Sequence, residues 1–290
     1  MVEAGVAAER ITKHTGAEQK LLWTAGVLLA VCVAIYVLIP IVIAVVTSFS
    51  DGNLLRFPVT AWSVRWYRDF FSSPQYVDAL FNSVVIAVGA TALSTLAGTA
   101  AAWAITQHSM AGRKILSLLI LLPLFMPGVV LGLGVAVTFG NVQIFGHDIF
   151  GSRFLVILSH ALWGMPLVFM LMETAFISLD RSTLEASSDL GAGPHLTFFE
   201  IVLPEVSVAL LSSALFAFVI SINEFYMALF LTTRDTQTLP VLMWLALRSA
   251  GTPRLAVAAV ILLTVVLLSL MVILFGYSRS LRTKKKLTVQ

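Results

Sequence analysis

Few residues in this chain could do chemistry in the ordinary sense, and their spacing argues against most of it. The five histidines, His14, His108, His147, His160 and His195, share no metal-ligand spacing. The single Cys32 lies in an apolar run and is expected to be a small buried filler, so neither a disulfide nor a thiolate metal site can be built. No Gly-x-x-x-x-Gly-Lys-Ser/Thr loop, Gly-x-Ser-x-Gly elbow or His-Glu-x-x-His pair occurs. The chain is therefore not expected to be an enzyme or to carry a cofactor, and any nucleotide hydrolysis linked to it must come from a partner.

Two polar groupings stand out instead. The first is Ser221, Asn223, Glu224 and Tyr226, late in one long apolar segment, with His160 inside another. Polar side chains are costly in hydrocarbon and usually face a bundle interior or a wet cavity. At 1.5 Å per residue Glu224 falls about 30 Å along a helix that begins near Pro204, which predicts a place close to the outer interface. There Ser221, Asn223, Glu224 and Tyr226, with His160, would line a solute pathway as contacts for a solute or its delivering protein, or Glu224 would simply reach interfacial water. His160 reads as a hydrogen-bonded helix contact rather than a ligand, and Glu173 as an interfacial charge near the opposite surface.

The second grouping is Glu185-Ala-Ser-Ser-Asp-Leu-Gly191, followed by Ile201-Val-Leu-Pro204. Ser182-Thr-Leu-Glu185 has the form of a capping box, which predicts a short helix with Ser182 as its cap. Gly191 supplies a left-handed end, and Gly193-Pro194 turns the chain and restarts it with Pro at a first helical position. Ala186, Ser187, Ser188, Gly191 and Ala192 are all small, so the stretch reads as a surface that another backbone can approach closely, with Glu185 and Asp189 on it.

The elements that position these groups are membrane spans. Of 290 residues 59 % are hydrophobic and 11 % charged, against roughly 25 % charged in soluble domains. Apolar runs predict six spans, at about 21–48, 78–106, 115–139, 154–178, 203–231 and 255–278, each long enough for a hydrocarbon core of about 30 Å. Pro40 is expected to kink the first, and Pro123 and Pro127 to break the third. Ala90, Ser94, Gly98 and Ala102, four apart, form a seam for close helix packing, as do Gly128 and Gly132. Trp62, Trp66, Tyr67, Phe70 and Phe71 place 49–77 at a membrane interface. Residues 1–20 read as a flexible or surface-lying leader. The basic tail, 280–290 with Lys284-Lys285-Lys286, reads as an anchor on anionic lipid, not a nucleic-acid site. With the N-terminus inside, Lys and Arg divide eleven inside against seven outside, so the positive-inside rule places both termini and 180–202 in the cytoplasm.

The loop motif resembles that of permease subunits of ATP-binding-cassette importers: Glu-Ala-Ala, three residues, Gly, nine residues, Ile, one residue, Leu-Pro. Glu185, Ala186, Gly191, Ile201, Leu203 and Pro204 fall in register, and Ser187 replaces the third residue. Further stretches resemble the type I importers and, within them, the spermidine/putrescine group. These are Trp66-Tyr67, Asn82-Ser83, Leu121-Leu-Pro-Leu124 with Pro127-Gly128, and Ser221-Ile-Asn-Glu224-Phe225 with Thr238-Leu-Pro-Val241. The resemblance covers roughly 40–275. It implies an all-α permease fold in one transmembrane domain, 21–279, of a bacterial inner membrane. Glu185, Ala186, Ser187, Asp189, Gly191 and Pro204 would couple it to an ATPase. The implied partners are a second permease chain in a heterodimeric core, two ATPase copies that bind ATP and Mg, and an extracytoplasmic solute-binding protein. The solute would be a polyamine; phosphonate, opine and iron are alternatives within the class, and a self-contained secondary transporter is the alternative outside it. The outer loops hold seven Arg against five acidic residues, which is no acidic funnel for a polycation.

In a Cys32→Ala background, a cysteine at position 188 should resist an impermeant thiol reagent in intact cells and react in inverted vesicles. A cysteine at position 60 should show the reverse pattern.

Overall fold

The computed structural model describes the backbone of residues 2–107, 111–249 and 251–287, with side chains of those between 19 and 275. The side chains of the leader and of the basic tail, His14 and His108 thus lie outside the described residues. Among the latter the fold is helical apart from one hairpin. The elements are α1 (Val2–Ser48), α2 (Arg65–Ser72), α3 (Pro74–Gln107), α4 (Arg113–Leu121), α5 (Gly128–Phe139), β1 (Gln143–Ile144), β2 (His147–Asp148), α6 (Arg153–Ile177), α7 (Arg181–Asp189), α8 (Pro194–Thr197), α9 (Leu203–Glu205), α10 (Ser207–Asn223), α11 (Tyr226–Leu231), α12 (Leu239–Ser249) and α13 (Arg254–Leu287).

Among the described residues four helical segments are long and apolar enough to cross a membrane, Gln19–Ser48, Pro74–Gln107, Arg153–Ile177 and Arg254–Phe275, and counting each of two bent pairs as one span raises the number to six. The third predicted span is one of these pairs. Arg113–Phe125 and Gly128–Phe139 meet at 103°, where a 3-10 turn over Leu122–Phe125 ends before Pro127. Pro123 and Pro127 cannot donate backbone hydrogen bonds, so the ladder is interrupted where the chain turns. The fifth is the other pair, bent by 73° between Pro194–Glu205 and Ser207–Asn223. α1 passes through Pro40 without ending. Cys32, expected to be buried, stands exposed on this helix, because α1 packs chiefly against α13 and leaves most of its circumference open.

The bundle is built on α3, α6 and α10. α3 and α6 run parallel at close range: a Cβ on Gly98 would sit 2.9 Å from Val168 and 3.0 Å from the Met165 carbonyl, and one on Gly164 would meet the Ser94 hydroxyl at 2.7 Å. Small residues allow that approach, and the Ser94 hydroxyl donates to the Ala161 carbonyl across it. The second glycine pair packs α5 on α11, with Gly132 against the Met227 backbone.

At the Arg153 end, Asn82 collects three partners. Its amide donates to the carbonyls of Asp235 and Gln237, and its carbonyl accepts from the Arg153 guanidinium at 2.7 Å. The Leu239 N–H donates to the Ser83 hydroxyl, so the first turns of α3 hold both α6 and the start of α12. Nearby, Arg254 pairs with Asp69 and lies over the rings of Trp66 and Tyr76, which ties α13 to α2.

Gly98→Leu should lower the thermal midpoint of the purified protein, with overpacking costing about 1–3 kcal/mol. Gly26→Leu, where an added Cβ meets nothing within 4 Å, should leave it unchanged.

Candidate functional site

The polar stretch 180–204 folds as a compact excursion at the Ile177 end of α6. Its helix α7 is capped by Asp180, whose Oδ1 accepts from the Ser182 N–H at 2.9 Å. This corrects the expected Ser182 cap and its Glu185 partner: Asp180 already occupies the cap position, and Ser182 falls inside the helix. The same hydrogen bond holds the Asp180 carboxyl below its usual value. The cap is therefore complete above the ordinary Asp range and is lost as pH falls through the lowered value.

Gly191 takes φ of 82°, and its N–H and that of Leu190 close the helix on the carbonyls of Ser188 and Ala186. Glu185, Ala186, Asp189 and Gly191 are exposed, and Leu190 is 89 % exposed at the tip. Ser187 is not on that face. It is buried, with its hydroxyl 2.9 Å from that of Thr197 and its carbonyl accepting from the Ala192 N–H, so it joins α7 to α8. A serine in the position the motif gives to alanine therefore points inward, and the exposed face of α7 is made by its neighbours.

Beyond Thr197 the chain widens into a π turn over Phe198–Val202 before Pro204, which is exposed in α9. Such turns arise where the helical ladder is interrupted. Leu184 and Phe198 pack on the cluster of Phe169, Met172, Phe176 and Val202, and Trp103 of α3 lies edge-on to Phe176 and Phe198 at 5.1 Å. Leu184 of α7 thus packs on a cluster shared by α3, α6 and α10.

The intramembrane grouping lies toward the other end. α10 stops at Asn223, Glu224 has extended backbone (φ −68°, ψ 127°), and the helix resumes as α11. The Met227 and Ala228 N–H groups donate to Glu224 Oε1 and Oε2 at 2.9 and 3.0 Å. His160 Nε2 is 3.3 Å from Oε2, and its Nδ1 is 2.8 Å from the Ser221 hydroxyl. Glu224 is 3 % and His160 1 % exposed. Of the two expectations for Glu224, the one in which it reaches interfacial water does not hold, because the side chain is buried against α6 and α11. The span continues past the break as α11, to a bridge between Thr232 and Gly151, and His160 lies about 10 Å of helix inside the Arg153 end of α6. Asn223 and Tyr226 are exposed, and with Trp163, Phe225 and Glu224 they line a cavity of about 320 Å³. Asn223 and Phe225 also line a larger groove of about 970 Å³ toward α1, α12 and α13. The structure therefore gathers Ser221, Glu224 and His160 into one buried contact and leaves Asn223 and Tyr226 outside it. Trp163 and Phe225 complete the cavity but carry no polar signal that marks them in the sequence. Glu173 is half-buried near the Ile177 end of α6.

Residues 90–284 match the family of binding-protein-dependent transport system inner membrane components. The chain belongs to that family. This permease chain is 29 % identical over 226 residues to the putrescine transport system permease protein PotI of Escherichia coli (strain K12), covering 77 % of this chain and 80 % of PotI. It is 26 % identical to the spermidine/putrescine transport system permease protein PotC of Haemophilus influenzae, over 79 % of this chain and 86 % of that one. In fold it resembles a chain of a bacterial ABC transporter involved in the import of alginate, with TM-score 0.73 at 16 % identity over 91 % of this chain and 96 % of that one. The permease is thus a multi-pass inner-membrane protein of the type I ABC importer fold, and within that class it resembles the polyamine group.

Ser187→Ala should loosen the joint between α7 and α8 by about 1 kcal/mol, the net worth of one hydrogen bond. Amide exchange at Gly191 and Ala192 should then quicken about five-fold, with exchange in α6 unchanged.

Proposed function

We propose that the permease forms half of the translocation pathway of an ATP-driven importer whose solute is a polyamine. The second half is a different permease chain, and two copies of a cytoplasmic ATPase supply ATP and Mg binding and hydrolysis. An extracytoplasmic protein delivers the solute, and both termini and 180–202 face the cytoplasm. The observation that carries this reading is α7. It presents Glu185, Ala186, Asp189 and Leu190 outward while Leu184 and Ser187 fasten it to the bundle. Support for the solute comes from the similarity to PotI and PotC, whose names specify putrescine and spermidine/putrescine. The diacetylchitobiose permease NgcG of Streptomyces coelicolor, 26 % identical over 69 % of this chain, marks another solute as the alternative.

One observation favours a second reading. A buried carboxylate and imidazole at a broken helix are what a self-contained ion-coupled carrier brings into its interior. The energy source separates the two: an importer needs ATP and its ATPase, a carrier only an ion gradient.

Gly191→Val tests the coupling. A β-branched residue at φ of 82° is strained, and an added Cβ meets nothing in this chain, so the effects are confined to the backbone of α7 and to whatever docks there. Putrescine uptake and stimulation of ATPase by the loaded binding protein should vanish, while the affinity of that protein for putrescine is unchanged. Normal ATP-dependent uptake by Gly191→Val would overturn the coupling role.

A further inference from the structure

Glu224 borders the smaller cavity, but it is 3 % exposed and both of its oxygens are turned onto the protein. Its two oxygens accept from Met227 and Ala228, and Oε2 also faces His160. The carboxylate closes the first turn of α11, a helix of 6 residues, too short to persist without such support. On the far side of the ring Ser221 holds the imidazole Nδ1, one turn before the break in the same span. The three side chains thus bridge α6 to both pieces of span five. Between Ser221 and the first turn of α11 lie Asn223 and Phe225, which line both cavities.

We propose that His160, Ser221 and Glu224 are positioning residues: together they latch the break in span five to α6 and so hold Asn223, Phe225 and Tyr226 on the solute pathway, without touching solute themselves. A buried carboxylate is costly unless its oxygens are hydrogen-bonded, and in the broken geometry the Met227 and Ala228 N–H groups supply those bonds. A continuous helix through 224 would carry the carboxylate away from the two N–H groups it caps. The latch is therefore specific to one arrangement of span five. The assignment of 223–226 to the pathway rests on the importer reading above; the latch itself does not.

Two measurements on the whole complex test it. In uptake, Glu224→Gln and His160→Ala should each lower the maximal rate at least ten-fold with KM within two-fold of wild type. The double variant should be no worse than the poorer single one, because both remove the same latch. His160→Gln, whose amide can donate to the carboxylate and accept from Ser221, should restore at least half the rate. A ten-fold rise in KM at unchanged maximal rate in Glu224→Gln would make Glu224 a solute contact and overturn the proposal, as would multiplying losses in the double variant. The second measurement is independent of the solute. In a Cys32→Ala background, the thiol-labelling rate of Tyr226→Cys should change at least five-fold on adding Glu224→Gln or His160→Ala and stay within two-fold of the starting value on adding His160→Gln instead. Equal labelling in all backgrounds would sink the latch even if polyamine uptake is established. An altered rate would sustain it even if the complex carries another solute.

Discussion

Backbone N–H and C=O groups within a bilayer have no water to turn to, so every interruption of a spanning helix must be satisfied by the protein. The permease interrupts two of its six predicted spans, and the architecture follows from how each is completed. In the third, prolines at 123 and 127 remove the donors that would be stranded. In the fifth, a carboxylate takes two of them. The glycine seam between α3 and α6 joins two unbroken spans, and the one between α5 and α11 packs the two broken spans on each other. Close backbone contact makes the breaks defined features and not frayed ends.

The two candidate sites share one packed centre. α6 carries His160 toward one end, against Ser221 and Glu224, and Phe169, Met172 and Phe176 toward the other, beneath Leu184 and Phe198. α10 joins the same two regions. A displacement of α7 has a packed route to the break in span five through two helices already in contact along their length. This is spatial continuity, which is the physical precondition for coupling between the loop and the pathway.

Much of this was legible in the residues. Gly191 was readable because a helix that ends on a small residue before Gly-Pro calls for a left-handed position, and φ there is 82°. The seam at Ala90, Ser94, Gly98 and Ala102 was readable from its spacing, and its residues are buried against α6. Six apolar runs indicated the all-α membrane class. Three features were not legible. The cap of α7 was assigned to Ser182 because the capping-box pattern ignores an aspartate two residues earlier. Ser187 was placed on the docking surface because size alone does not say which way a side chain points. The burial of Glu224 is not legible because counting rise along one straight helix cannot foresee that its partner, His160, lies 64 positions upstream in another span. Long-range pairing of single polar residues leaves no periodic trace.

In the proposed importer the exposed face of α7 meets an ATPase in the cytoplasm. Leu190, at its tip, is the place to ask. In a Cys32→Ala background Leu190→Cys, paired with cysteines introduced on the surface of the copurifying nucleotide-binding subunit, should give a disulfide between the two chains in inverted vesicles. Its yield should change between the nucleotide-free and ATP-bound states. A residue 190 that forms no such bond, and is labelled from outside intact cells, would contradict the account.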